Sequence, residues 1–163
     1  MSDIEIANHL EFRQYPISIT NNTAKGQAQP HKKKRLTIAA GGMIFAHNKI
    51  LLDRSDNIDL WSVPGGTVNF NESLQETVVR ELKEELNLNV EILSTPPFLF
   101  NFEVEDDDYI DIIILIHFIV KVTDKNKIIM GNEIIDYKWE SIGSSFRDCY
   151  PNVKPAVDHY MKI

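Results

Sequence analysis

Cysteine is almost absent from this sequence: Cys149 stands alone among 163 residues. A single thiol excludes an intramolecular disulfide and a cysteine-built zinc site, and it suits a reducing compartment. Long apolar runs are missing as well. No stretch approaches the roughly 20 residues that a membrane-spanning helix needs. The start, Met1-Ser2-Asp3-Ile4-Glu5, has neither the basic residues nor the apolar centre of a secretory signal. A cytoplasmic protein with no membrane partner is expected. Positive charge is also scarce, with 17 Lys and Arg against 24 Asp and Glu and a net charge of −7. That balance argues against broad nucleic-acid binding driven by counterion release. A phosphorylated ligand would need a metal ion or a local basic group. The length suits one well-buried domain and is short for two, and no internal repeat is visible.

What the sequence does contain is a crowd of acid. Glu81, Glu84 and Glu85 share one helical turn with Arg80. Like charges three and four residues apart cost about 0.2–0.5 kcal/mol per pair on an exposed helix, so their grouping suggests a cation. Ser73 and Glu76 fit a capping box that starts the helix near Ser73. Leu74, Val78, Leu82 and Leu86 form an apolar stripe that Val79 widens. At roughly 100° per residue, the three glutamates fall on one arc beside the stripe, with Glu76, Arg80 and Lys83 toward the other side. Hard carboxylate oxygens suit Mg²⁺ or Mn²⁺. Taken alone, the same three residues also describe a solvated acidic face.

The residues just upstream decide between these readings. Trp61-Ser62-Val63-Pro64-Gly65-Gly66 reads as an apolar strand ending in a break, where paired glycines permit positive φ and close backbone approach. The loop then passes Thr67 to Asn71, reaches Glu72 and enters the helix. This unit resembles the Nudix box, G-x5-E-x7-R-E-U-x-E-E-x-G-U, where U is a bulky aliphatic residue. Gly66, Glu72, Arg80-Glu81, Leu82, Glu84-Glu85 and Leu88 match in order. Asn87 departs from the usual glycine. Asn also tolerates the left-handed backbone at a helix end, so the exchange reads as structurally mild.

The resemblance implies an α/β Nudix fold, an α/β/α sandwich with a mixed β-sheet. Strands are expected over Leu36 to Ala46, Lys49 to Arg54 after a turn at His47-Asn48, Val90 to Leu93, Phe98 to Val104, Tyr109 to Val122 and Ile134 to Trp139, with a helix over Asn152 to Tyr160. Turns are expected at Glu105 to Asp108 and Asp124 to Asn126. The Nudix domain would occupy 36–163. Residues 1–35 would be an extension, either mobile or packed on a homodimer partner through Ile4 to Tyr15. In the basic run, Lys32 to Arg35 could be solvated or could hold substrate phosphates.

The chemistry implied by the resemblance is attack of water on phosphorus in a diphosphate linkage, assisted by Mg²⁺ or by Mn²⁺ in its place. Glu84 and Glu85 would be the principal metal ligands, with the Gly65 carbonyl a further one and Glu133 the carboxylate from a later loop. Glu81 would be a ligand or the general base. Arg80 would pair with Glu72 and orient the glutamates. Arg54 could meet phosphate or form a surface pair with Asp53 or Asp56. Phe70, Trp61, Phe102 and Tyr109 could stack on a base or belong to the core. His117 reads as a hydrogen-bonded sheet residue, and Cys149 as a buried small hydrophobe. The substrate class is a nucleoside diphosphate linked to another moiety: a nucleoside triphosphate, ADP-ribose, a nucleotide sugar or a dinucleotide. A Nudix module that binds nucleotides without turnover is the alternative, and the intact glutamates count against it. Isoprenoid diphosphate isomerisation, which needs a cysteine acid or base, is poorly served by Cys149.

Overall fold

β-Branched and aromatic residues recur so densely after residue 33 that strands outnumber helices nine to two among the described residues. The computed structural model describes residues 12–14, 33–55, 59–105, 109–124 and 127–162. Among these, the elements in chain order are β1 (Phe12–Gln14), β2 (Lys33–Met43), β3 (Phe45–Ala46), β4 (Lys49–Ser55), β5 (Gly65–Thr67), α1 (Leu74–Leu86), β6 (Val90–Ile92), β7 (Phe98–Glu105), β8 (Tyr109–Val122), β9 (Ile134–Ser141) and α2 (Val153–Tyr160).

β8 is the spine of the larger sheet. It runs parallel to β2, from Lys33 opposite Tyr109 to Met43 opposite Ile119, and antiparallel to β7. A central strand covered on both faces needs apolar residues on both, which accounts for the run Ile112 to Val120. β1 joins the β7 edge in parallel, β5 joins β2, and β6 joins the far end of β8. A second sheet has the order β3-β4-β9. Val78, Leu82 and Leu86 of α1 pack with Ala40, Leu51, Ile116 and Phe118 on one side. Val153, Ala156, Val157 and Tyr160 of α2 pack with Met43, Leu52, Phe98 and Phe100 on the other. The architecture is therefore the expected α/β/α sandwich with a mixed sheet. Val78, Leu82 and Leu86 are fully buried, each stabilising by roughly 1.5–3 kcal/mol, and this fixes the rotation of α1 and hence where its glutamates point.

Three local expectations are corrected. Val79 is 41% exposed and lies off the stripe, while Thr77, on the opposite flank, is fully buried. Trp61 to Pro64 do not form a continuous strand: Trp61 bridges Cys149, Ser62 bridges Asp53, and the glycines themselves begin β5. β2 also starts earlier than the sequence suggested. Its Arg35 donates to Asp111 at 2.6 Å and lies over the Tyr109 ring, so this cation is engaged at the sheet end. Lys32, Ile4 to Glu11, Tyr15, Asp106 to Asp108 and Lys125-Asn126 lie outside the described residues.

Candidate active site

The entrance to α1 is built by local hydrogen bonding. Ser73 Oγ accepts from the Glu76 N–H at 3.2 Å, and Glu76 Oε2 accepts from the Ser73 N–H at 2.8 Å, completing the capping box. The helix ends at Asn87, whose φ of 56° and ψ of 31° are left-handed and whose N–H reaches the Leu82 and Lys83 carbonyls. The departure from glycine thus sits in a conformation that Asn tolerates.

Between these ends, Arg80 gathers the acids. Its Nε and Nη2 donate to the two Glu72 oxygens at 2.7 and 3.0 Å, and its Nη1 donates to Glu81 at 2.7 Å and Glu84 at 3.1 Å. A further bond runs from Nη2 to the Thr67 carbonyl at 3.2 Å. Arg80 therefore turns back over the glutamates, contrary to its expected place toward the other side of the helix. The forked contact holds the Glu72 carboxyl down at about 2 and raises the Arg80 guanidinium further. Thr77 Oγ1 adds a bond to Glu72 at 2.9 Å.

The glycine pair explains how the strand reaches this helix. A Cβ on Gly66 would collide with the Glu81 carboxylate. Gly65 has φ of 152°, and a Cβ there would strike the Ala40 carbonyl and Gly41. The Gly65 N–H donates to Glu85 Oε2 at 2.9 Å. At the other end of α1, the Gly131 N–H donates to the Glu85 carbonyl at 2.8 Å, and a side chain at 131 would meet the Glu84 carbonyl. This close approach brings Glu133 to a cavity of about 340 Å³ shared with Glu81, Glu84, Glu85 and Asn132. The loop carboxylate and the three helix carboxylates, nearly 50 residues apart in sequence, are thereby placed together.

Glu85 also lines a second cleft of about 330 Å³, with Gly65, Gly66, Asp53, Ser62, Phe102, Ile113, Leu115, His117 and Asn152. Burial, then the nearby charges of Asp53 and Glu81, push the Glu85 carboxyl well above the usual carboxylate range. Burial pushes Glu81 up as well, against the pull of Arg80. The group is short of positive charge, with oxygen donors throughout, and this fits a hard divalent cation. Among the described residues no three acidic or imidazole groups form a ready metal cage, and Arg80 takes up Glu81 and Glu84.

The NUDIX domain family matches residues 35–156. The chain belongs to the Nudix family. A putative 8-oxo-dGTP diphosphatase of Bacillus subtilis is 27% identical over 112 residues, covering 69% of this chain and 70% of that protein. A putative ADP-ribose pyrophosphatase of the same organism is 44% identical over 50 residues, 31% of this chain and 24% of its own length. The matched stretch spans less than two thirds of that relative and of an 8-oxo-dGTP diphosphatase of Proteus vulgaris, where it spans 55%. Among solved structures, an Ap4A hydrolase of C. elegans superposes with a TM-score of 0.63 at 18% identity, over 77% of this chain and 96% of that one. The ORF135 protein of E. coli gives 0.54 at 25% identity, over 80% and 91%. No helix among the described residues is long and apolar enough to cross a membrane.

Other expected residues of this Nudix domain are less central. Phe70 is 97% exposed, beside Gln75 and Val79 on the outside of α1 and away from the lining of the Glu85 cleft. Arg54 lies 4.9 Å from the Trp61 ring, with Lys138 4.6 Å from the same ring, and reaches Asp136 at 3.9 Å. Its surface pair with Asp53 is overturned because Asp53 is only 2% exposed; Asp56 lies outside the described residues. Phe102 does line the cleft, and Tyr109 lies under Arg35. Cys149 is buried, as expected.

Sequence reasoning missed Asp53, Ser62 and Asn152. Ser62 Oγ donates to Asp53 Oδ1 at 2.9 Å, and Asn152 Nδ2 lies 2.9 Å from His117 Nε2 at the cleft floor. Burial holds the His117 imidazole down at about 4. The available signal for Asp53 was a carboxylate directly after Ile50, Leu51 and Leu52, in a strand too apolar to lie at the surface.

Proposed function

We propose that this Nudix domain is a Mg²⁺-dependent pyrophosphohydrolase that cleaves the diphosphate linkage of a nucleoside diphosphate joined to another moiety. The observation that carries this reading is the carboxylate group on α1: Glu81, Glu84 and Glu85 meet Glu133 at one cavity, and Glu85 opens into a separate cleft large enough for part of a nucleotide. Names borne by the relatives, 8-oxo-dGTP diphosphatase and ADP-ribose pyrophosphatase, support a nucleotide substrate of this class.

Glu84, Glu85 and Glu133, with the Gly65 carbonyl, are the residues that would hold the cation; Mn²⁺ would serve in its place. When bound, the ion neutralises phosphate charge and favours water as a nucleophile at phosphorus. Glu81 takes the proton from the attacking water. It is half-buried against Gly66, and burial raises its affinity for a proton, which suits a general base. Arg80 is a positioning residue that fixes Glu81 and Glu84, and Glu72 fixes Arg80. The apolar wall formed by Leu60, Phe102 and Leu115 receives the uncharged part of the substrate. Phe70 and Arg54 have no substrate contact in this reading.

The experiment is incubation of the purified chain with Mg²⁺ and a panel of nucleoside triphosphates, oxidised purine triphosphates, ADP-ribose, nucleotide sugars and dinucleoside polyphosphates. Chromatography is expected to show a nucleoside monophosphate and the phosphorylated remainder. Absence of hydrolysis for every compound between about pH 7 and 9, where a carboxylate base is ionised, overturns the reading.

A further inference from the structure

Asp53 stands outside the Nudix box, on a different strand, and is the most deeply buried carboxylate among the described residues, at 2% exposure. It lines the same cleft as Glu85 and Gly65, close enough for its charge to repel that of Glu85. Asp53 Oδ1 accepts from Ser62 Oγ at 2.9 Å, whereas Oδ2 has no hydrogen-bond donor. A buried carboxylate oxygen without a donor is costly to fold around. Its persistence next to a second, half-buried acid calls for a positive partner.

Two arrangements could relieve such a pair: a shared proton or a bound cation. The donors around the pair favour the cation. Ser62 donates to Asp53, and the Gly65 N–H donates to Glu85 Oε2 at 2.9 Å. Hydrogen bonds of this kind favour the ionised form of each acid while burial opposes it, and a cation between the two would offset that cost. The strand pairing enforces the approach. Asp53 and Ser62 exchange backbone hydrogen bonds at 3.1 and 2.9 Å, which sets the Ser62 hydroxyl beside β4, and the chain then passes to Gly65 and Gly66, which pair with β2.

We propose that Asp53 is a further metal-binding carboxylate of this site, which together with Glu85 holds a divalent cation at the cleft floor while Ser62 orients it. The proposal rests on the metal-dependent reading above and extends the ligand set to a strand that the box does not contain. Asp53 would face the cleft side of Glu85, and Glu84 and Glu133 the opposite cavity. Glu85, which lines both spaces, joins them.

The test is Mn²⁺ binding to the full chain without substrate, read by calorimetry and by the Mn²⁺ electron paramagnetic resonance signal. Asp53→Asn is expected to weaken binding by about tenfold or more or to remove one bound ion, and to shrink the rise in melting temperature that Mg²⁺ gives over EDTA. In EDTA the variant should melt at or above the wild-type temperature, because one of two facing charges is gone. Ser62→Ala, which leaves the carboxylate free to turn, should give a smaller loss of Mn²⁺ affinity, and it carries the test if Asp53→Asn fails to fold. If Glu85→Gln weakens Mn²⁺ binding while Asp53→Asn and Ser62→Ala bind as wild type, the role of Asp53 is overturned and the box reading stands. If Glu85→Gln also binds as wild type, the metal reading of the whole site is overturned with it.

Discussion

Arg80 grips Glu72 through two parallel hydrogen bonds, Nε to Oε1 at 2.7 Å and Nη2 to Oε2 at 3.0 Å. The geometry requires a planar fork, and a lysine offers a single point charge. Because the remaining Arg80 nitrogen holds Glu81 and Glu84, loss of the fork releases the acids as well. Arg80→Lys should lower kcat/KM on the best substrate of the panel by about 10²-fold, the scale of a misplaced catalytic group, with an unchanged far-ultraviolet circular dichroism spectrum. Wild-type kinetics would remove Arg80 from its positioning role.

The two glycines before the loop should respond differently to a methyl group. At Gly66 the obstacle is the flexible end of Glu81, whereas at Gly65 it is backbone, at a φ of 152°. Gly66→Ala should therefore reduce kcat while the urea midpoint stays near wild type. Gly65→Ala should cost about 1–3 kcal/mol of stability through strained backbone. Equal midpoints for the two variants would contradict this division.

Asn87 caps α1 in the left-handed conformation, at φ of 56°. Asn87→Gly should stay within about 1 kcal/mol of wild type and keep full activity, whereas Asn87→Ala should lose about 1–2 kcal/mol, the penalty for a Cβ in that region. Urea denaturation of the three proteins checks the order. A large loss of activity in Asn87→Gly would reveal a role for the amide beyond capping.

His117 gives the fold a pH dependence of known sign. Burial holds its pKa at about 4 against an ordinary 6.5, so below pH 6.5 the unfolded chain takes a proton that the folded chain refuses. The stability contribution is complete above pH 6.5 and is lost as pH falls toward 4, by about 3 kcal/mol over the window. Urea midpoints should drop between pH 7 and 4.5 in the wild type. His117→Gln should flatten that part of the curve; an identical slope in the variant would assign the effect elsewhere.

Glu85→Gln removes a charge from the carboxylate that lines both cavities. Turnover should fall by more than about 10²-fold, with the fold kept because the amide can still accept from the Gly65 N–H. Steady-state kinetics with Mg²⁺ on the panel substrate measures it, and unchanged turnover would show that Glu85 is no metal ligand.

Much of this protein was legible from sequence because its decisive signals are local. The capping box at Ser73, the stripe Val78-Leu82-Leu86 and the spacing from Gly66 to Glu85 are set by helix periodicity, which does not depend on distant residues. Val79 was misassigned because a stripe has edges that only packing locates. Phe70 could not be placed, because an aromatic residue in a loop carries no record of which side of a helix it will face. Asp53 was missed because its neighbour Glu85 lies 32 positions away in the chain. By itself the sequence determined the family, the helix and the order of its acids, through short-range spacing. Only the tertiary structure decided that Gly131 carries Glu133 to them, that β4 brings Asp53 against Glu85, and that the site has two cavities meeting at Glu85. Those contacts depend on strand pairing and close backbone approach, and neither leaves a periodic mark in the chain.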